Sequence, residues 1–304
     1  MIFKTPILFI IFNRPDTTQV VFDEIKKVKP ERLFIAADGP RADKEENEKC
    51  QMTRDIIKQV NWDCDIHTLF REKNVGCKRA VSSAIDWFFE NVEEGIILED
   101  DCVPSQSFFM FCNQLLEHYR HDKRVMMISG DNFQNGVQRG NATYYFSRIA
   151  HIWGWATWRR AWHLYDANLK TFPDFLASNQ ISNVYSEPEI KEYWINCLSA
   201  VSSNKINTWD YQWGYTLLMN NGLSIMPNIN LISNIGFGAD ATHVTNSNSE
   251  LSNMNKYELS EKIIHPMFTL PNKEADNYTY INHYGLKKPT FKKKFKRAIS
   301  SLNA

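Results

Sequence analysis

Five short apolar runs, separated by stretches of helical period, organise the first 130 residues and restrict what this chain can fold into. Pro6–Phe12, Arg32–Ala37, Ile66–Phe70, Ile96–Leu98 and Val125–Ser129 are too short for ordinary helices and read as strands. Between them, Val20, Val21, Phe22 and Ile25 recur at helical spacing after Asp16, Thr53–Val60 and Ala80–Phe89 read as helices, and a Phe- and Leu-rich segment precedes the fifth run. Strands that alternate with helices of this length pair in parallel, because the chain must cross back over the sheet. The expected fold class is α/β: a Rossmann-like, mixed and mostly parallel sheet flanked by helices. Ligands of such open sheets collect at the carboxyl ends of the strands. Three of these ends are polar, at Asn13-Arg14, Asp38-Gly39 and Glu99-Asp100-Asp101, and they are expected to meet in one crevice.

The third end makes the strongest chemical demand. Gly95-Ile96-Ile97-Leu98 delivers Glu99, Asp100 and Asp101 together at the edge of a core, where adjacent carboxylates repel one another and lose hydration. A divalent cation bridging to a diphosphate relieves that better than water does. The pattern suggests a metal and nucleotide-sugar site; a surface turn, or a cap for the helix after Pro104, is the alternative. Arg14, and after the Gly76 turn Lys78 and Arg79, are candidates for phosphate contact, Arg14 the best of the three, although charges in such places are more often simply solvated. Asp131 ends the fifth strand and could accept hydrogen bonds from donor hydroxyls, with an ordinary turn as the alternative.

Beyond residue 130 the character changes, with Trp153, Trp155, Trp158, Trp162, Trp194, Trp209 and Trp213 crowded among mixed signals. Dense tryptophan usually means core. An indole face also matches the apolar face of a pyranose, so His151–Trp158 is a candidate acceptor wall, with Gly154 allowing close backbone approach. His243 follows a glycine-rich segment that could close over a donor, and is a candidate metal or phosphate partner against the plainer expectation of a surface histidine.

Formal net charge is zero, yet Lys287, Lys288, Lys292, Lys293, Lys294, Lys296 and Arg297 crowd the C-terminus and leave the remainder acidic. With Phe291, Phe295, Ile299 and Leu302 at helix-like spacing, residues 287–302 form either a basic amphipathic helix suited to an anionic membrane surface or a solvated terminus. Basic residues elsewhere are not clustered, so nucleic acid is not an expected partner. Six cysteines lack zinc-type spacing and are expected as free thiols. The apolar segment Ile7–Phe12 is too short to span a bilayer and ends in Asn13-Arg14-Pro15 rather than a cleavage site. A cytoplasmic location, peripheral to the inner membrane face if the tail binds there, is expected.

Five segments, in order, resemble a known family. Ile7–Pro15 is similar to its first strand and nucleotide turn, Ala37-Asp38-Gly39 to its second strand end, and Glu99-Asp100-Asp101 to its version of the Asp-X-Asp motif. Ile152–Trp155 resembles its Gly-Trp segment, and Thr208–Trp213 its Trp-Asp-Asp-Trp base motif. Over roughly residues 5–245 the chain thus resembles a GT-A fold glycosyltransferase of the N-acetylglucosaminyltransferase I type and its bacterial relatives. That resemblance implies a metal-dependent, inverting hexosyltransferase that moves a sugar from a nucleoside-diphosphate donor, UDP-linked, to a hydroxyl of a glycan or lipid-linked saccharide.

It further implies that Asp101 binds Mn2+ (or Mg2+), that Asp100 supports ribose or metal-bound water beside Glu99, and that Asp38 contacts the base or ribose. Asn13, Arg14, Asp131 and Trp155 would also face the donor, and Asp210 would be the catalytic base. One departure is that the family's adjacent aspartates are replaced here, since Asp210 is followed by Tyr211 and Gln212; Asp210 as a helix N-cap is the alternative. The nearest relatives also carry a membrane anchor, so their cellular setting does not transfer. The expected organisation is a catalytic domain over 1–245 (nucleotide half 1–130, acceptor half 131–245) and a C-terminal extension over 246–304. A non-catalytic carbohydrate- or nucleotide-binding module of the same fold is the rival function.

Overall fold

The structure, a computed structural model, describes residues 3–237, 252–260 and 262–287. In its first part β1 (Ile7–Ile11), α1 (Pro15–Val28), β2 (Arg32–Ala37), α2 (Asn47–Asp55), β3 (Asp65–Phe70), α3 (Cys77–Asn91), β4 (Glu94–Glu99), β5 (Cys102–Pro104), α4 (Gln106–Tyr119) and β6 (Val125–Ser129) follow in turn. Then come β7 (Tyr144–Ser147), β8 (Trp155–Trp158), α5 (Arg159–Trp162), α6 (Phe172–Ala177), α7 (Ile181–Val184), α8 (Pro188–Ser202), α9 (Asp210–Met219), β9 (Leu223–Pro227), β10 (Ile232–Asn234) and α10 (Lys273–Asn282).

Eight strands form one sheet in the order β3-β2-β1-β4-β8-β6-β9-β7. Pairs β3–β2, β2–β1, β1–β4 and β6–β9 are parallel, whereas β8 runs against both β4 and β6, and β7 against β9. The sheet is mostly parallel, as the alternation of signals implies, and the antiparallel β8 and β7 make it mixed. Its central strands bury both faces, which explains their continuous apolar runs. On one face Val21, Phe22 and Ile25 of α1 and Phe108, Phe111 and Leu115 of α4 pack against Ile7, Phe9, Leu33 and Ile96. On the other, Val81, Ile85 and Phe88 of α3 and Trp213 and Leu217 of α9 cover Leu8, Ile10, Phe34 and Ile97.

The first two strands and the fifth run fall where the periodicity puts them. The helix expected at Thr53–Val60 instead begins at Asn47 and ends in a tighter turn at Ile56–Gln59. β8 is the larger departure: residues read as an acceptor wall form a strand in the middle of the sheet. Gly154, at φ 67°, makes this possible, since a Cβ there would lie 2.6 Å from the Ile232 side chain.

β5 and β10 pair as a separate two-stranded ribbon, so the chain after Asn234 comes back beside Asp101, whose carbonyl accepts the Ile235 N–H at 2.9 Å. The described part of the C-terminal extension is built into the body. Glu258 accepts the Gln106 and Ser107 N–H groups at 3.0 and 2.7 Å, which caps α4 from a distant part of the sequence. Asp276 of α10 accepts the Ser147 hydroxyl at 2.6 Å, and Tyr280 joins a third apolar cluster with Trp194 and Leu198. All six cysteines are free.

Candidate active site

Strand order reverses between β1 and β4: the chain winds from β1 outward to β3, then returns to the other side of β1. Such a switch point leaves a crevice at the carboxyl ends, because the chain leaves β1 toward one edge of the sheet and leaves β4 toward the other. Ile10 pairs with Glu99, so Asn13 and Arg14 run on beside Asp100 and Asp101. Asp100 and Asp101 form the tight turn between β4 and β5, but this is not an exposed turn, since Asp100 is 3% exposed. Nor do the acids cap α4, a task that Glu258 performs.

The Arg14 guanidinium answers the charge of the acids. Its Nη2 donates to Asp100 Oδ1 and, at 2.9 Å, to Asp101 Oδ2. Burial pushes the Asp100 carboxyl up to about 6, with Arg14 pulling it down and Asp101 pushing it up. Loss of hydration, then repulsion from Asp101 and Asp100, pushes Glu99 up to about 8. Burial acts to lower the Arg14 pKa, yet the two carboxylates outweigh it and the group stays charged.

A cavity of about 830 Å3 opens here, lined by Asn13, Arg14, Asp38, Glu99 and Asp100. The three polar strand ends therefore do meet. Asp38 sits at the wall with its oxygens occupied, accepting N–H groups from Gly39, Val75 and Gly76 at 2.9–3.2 Å. Through these bonds it fixes the entry to α3. Asn13 donates to the buried Glu46 at 2.9 Å, and Arg41 pairs with the same carboxylate, tying the loop before α2 to the end of β1.

Several lining residues were not read from the sequence. Arg41, Lys44, Lys49 and Arg71 bring positive charge to the cavity, whereas Lys78 and Arg79 are not among its lining residues. Arg71 was legible, because it directly follows β3 and the same strand-end rule selects it. The other three, Arg41 and Lys44 in the loop before α2 and Lys49 in its first turn, lie in a charge-rich stretch that carries no signal distinguishing it from a solvated one.

Asp101 stands behind Arg14 rather than on the cavity wall, and Gly236 packs against it so closely that a Cβ would fall 2.0 Å from Oδ2. Asp131 is 1% exposed; Oδ2 accepts the Trp153 N–H at 2.9 Å, while Oδ1 has no partner among the described residues. Burial pushes its carboxyl well above the usual range. Trp155 departs from its expected place at the donor. β8 is covered on both faces, and the Trp155 indole is fully buried, stacked on Trp209 at 5.7 Å and against Trp213 at 5.6 Å. Trp153 is half-buried instead, edge-on to Phe237, which lines the cavity.

Asp210 opens α9 as its first residue, with Trp209 in the N-cap position. Its Oδ1 accepts the Thr208 hydroxyl and, at 2.9 Å, the Tyr211 N–H. Among the described residues no hydrogen bond falls on Oδ2. Asp210 lies near enough to Glu99 and Cys77 to contribute to the upward shift of both, and Asn207, three residues before it, lines the cavity. His243 lies outside the described residues, as does the tail beyond Lys287. Among the described residues there is no group of three or more His, Cys, Asp or Glu side chains arranged to hold a metal by themselves.

No protein-family model matches the chain, and a comparison with curated proteins finds no match. Among solved structures it is similar to the mannosyltransferase PcManGT from Pyrobaculum calidifontis in complex with GDP-Man and Mn2+, at 12% identity over 54% of this chain and 48% of that one, TM-score 0.38. It is also similar to TarS from S. aureus, at 10% identity over 55% and 51% of the two chains, TM-score 0.38. A cytidylyltransferase from Leptospira borgpetersenii shows 12% identity over 53% and 63%, TM-score 0.33. The chain thus spans about half the length of the first two. At these scores the likeness is too distant to bear on function.

Proposed function

We propose that the chain is a metal-dependent, inverting glycosyltransferase that takes a sugar from a nucleoside-diphosphate donor, UDP-linked by family resemblance, to a hydroxyl of a glycan or lipid-linked saccharide. One observation carries this most: at a topological switch point, beside an 830 Å3 cavity, carboxylate oxygens of Asp100 and Asp101 converge on a single cationic group. The volume suits a small ligand. A donor set of hard carboxylate oxygens around one positive charge fits Mn2+ or Mg2+, with the nucleotide completing the shell.

Asp101 and Asp100 would hold the ion, whose chemistry is to neutralise the charge that develops on a diphosphate leaving group. Asn13, Arg14 and the lining cations Arg41, Lys44 and Lys49 would orient the nucleotide. Asp210 would take the proton of the acceptor hydroxyl at Oδ2, with Oδ1 held by Thr208 and Tyr211. Attack from the side opposite the leaving group inverts the anomeric centre without a covalent sugar intermediate. The half-buried Trp153, edge-on to the lining residue Phe237, would be the indole to meet a sugar rather than Trp155. Among the described residues no helix is long and apolar enough to cross a membrane; contact with a membrane-borne acceptor would fall to the basic 287–302 segment.

Thermal shift with a panel of nucleotides tests this, since only a ligand that prefers the native state raises its melting temperature. UDP with Mn2+ is expected to stabilise the chain more than either alone, and Asp101→Ala to remove the metal-dependent part. Sugar nucleotides incubated with Mn2+ should release nucleoside diphosphate, and a chelator should stop it. Binding with no release from any donor would instead identify a binding module.

A further inference from the structure

Arg14 has two sets of possible partners within reach. On one side it forks across the acid turn: Nη2 meets Asp100 Oδ1 and Asp101 Oδ2, and Nε approaches Asp100 Oδ2 at 3.4 Å. On the other it borders the cavity. The side chain is 22% exposed, against 5% and 17% for its two partners, so the pair is largely withdrawn from water. Among the described residues no other cation bonds to Glu99, Asp100 or Asp101.

The carboxylates have little freedom to serve a second cation elsewhere. Among the described residues Asp101 Oδ1 accepts only from the Cys102 thiol, at 3.3 Å, and Gly236 closes the space beyond Oδ2. Asp100 turns both oxygens to the guanidinium. A divalent ion bound through these oxygens would therefore share them with a group of like charge at contact distance, an arrangement that repulsion forbids at low hydration.

We infer that Arg14 is the resident counter-ion of the acid turn and competes with the divalent cation for the same oxygens. This rests on the metal-dependent reading of the site. Entry of the ion displaces the guanidinium, whose planar fork then faces the cavity, where a diphosphate is a matching bidentate acceptor. Metal and nucleotide both favour the displaced arrangement, so each strengthens binding of the other, and Arg14 carries part of that coupling. Arg14 is in this sense a positioning residue for the ion as well as a ligand for the donor.

The test is Mn2+ titration of the full chain, by calorimetry or by the electron paramagnetic resonance signal of free Mn2+, first without nucleotide and then with UDP. Arg14→Gln removes the competing charge at similar size, and Arg14→Lys keeps the charge but loses the fork. Without nucleotide, Arg14→Gln is expected to bind Mn2+ about tenfold tighter than the native chain, with Arg14→Lys in between. The enhancement of Mn2+ affinity by UDP should shrink at least about threefold in Arg14→Gln. Equal or weaker Mn2+ binding by a cooperatively melting Arg14→Gln overturns the inference. If that variant does not fold, equal or weaker binding by Arg14→Lys does so. Absence of Mn2+ binding in every protein, with UDP or without, overturns the metal-dependent reading together with it.

Discussion

Six tryptophans of the C-terminal half lie in the core, whereas Asn13, Arg14, Asp38, Glu99 and Asp100, which close three strands of the N-terminal half, all border one cavity. The two halves thus differ in how directly residue type reports position. A charged or amide group at the end of a buried strand has nowhere to go but the sheet edge, because burial without a partner is costly. A tryptophan has two favourable places, a core or the face of a sugar, and its local sequence does not choose between them. In the same half the carboxylates of Asp131 and Asp210 stand in contrasting states: among the described residues the first is enclosed with one oxygen unpartnered, and the second is half-buried and held by a single oxygen.

The sharpest way to break this contrast is Trp155→Ala. As a core residue it should cost about 3–5 kcal/mol and lower the melting temperature by roughly 10 °C. A variant that melts like the native chain but loses affinity for donor or acceptor would make Trp155 a ligand wall after all. Asp210→Asn should lower transfer about 10²–10⁴-fold while leaving the UDP–Mn2+ thermal shift in place. If the shift disappears as well, Asp210 belongs with the nucleotide residues and the two halves are not functionally separate.

Thr208→Ala should cost transfer roughly tenfold through a misplaced Asp210, with Thr208→Ser restoring most of it, because the serine hydroxyl can make the same bond. Full activity in the alanine variant would show that Tyr211 alone holds the carboxylate. The smallest effect concerns pH. Glu99 is raised to about 8 in the folded chain, so the native state holds a proton that the unfolded state has lost. That contribution to stability is complete below the ordinary Glu pKa and disappears as pH rises through about 8. Melting temperatures measured across this range should fall with pH by a few degrees, and Glu99→Gln should flatten the slope. An equal slope in the variant would assign it to other groups.

Much of the N-terminal half was legible because its signals are local. β2 coincides with its apolar run and β6 likewise, while β1 and β3 differ by a residue or so at their ends. β8 escaped because Trp155–Trp158 is a strand only by virtue of the β4 and β6 edges that receive it. β5 and β10 are three residues each, too short for a period to show, yet their pairing is what returns Gly236 to Asp101. At the site, the strand-end rule picks out the acids and reaches Arg71 as well, whereas Arg41 is held beside the end of β1 only through the Glu46 carboxylate that Asn13 also meets.

By itself the sequence determined where strands alternate with helices, where polar groups interrupt them, and that three carboxylates stand together needing a counter-charge. These follow from periodicity and composition over a few residues. Only the tertiary structure decided that the counter-charge is Arg14, 86 positions from Asp100, that Asp101 is set behind it, and that Trp155 faces other indoles rather than a ligand. Which group neutralises or covers another depends on the approach of distant segments in a dense interior, and no local pattern records that approach.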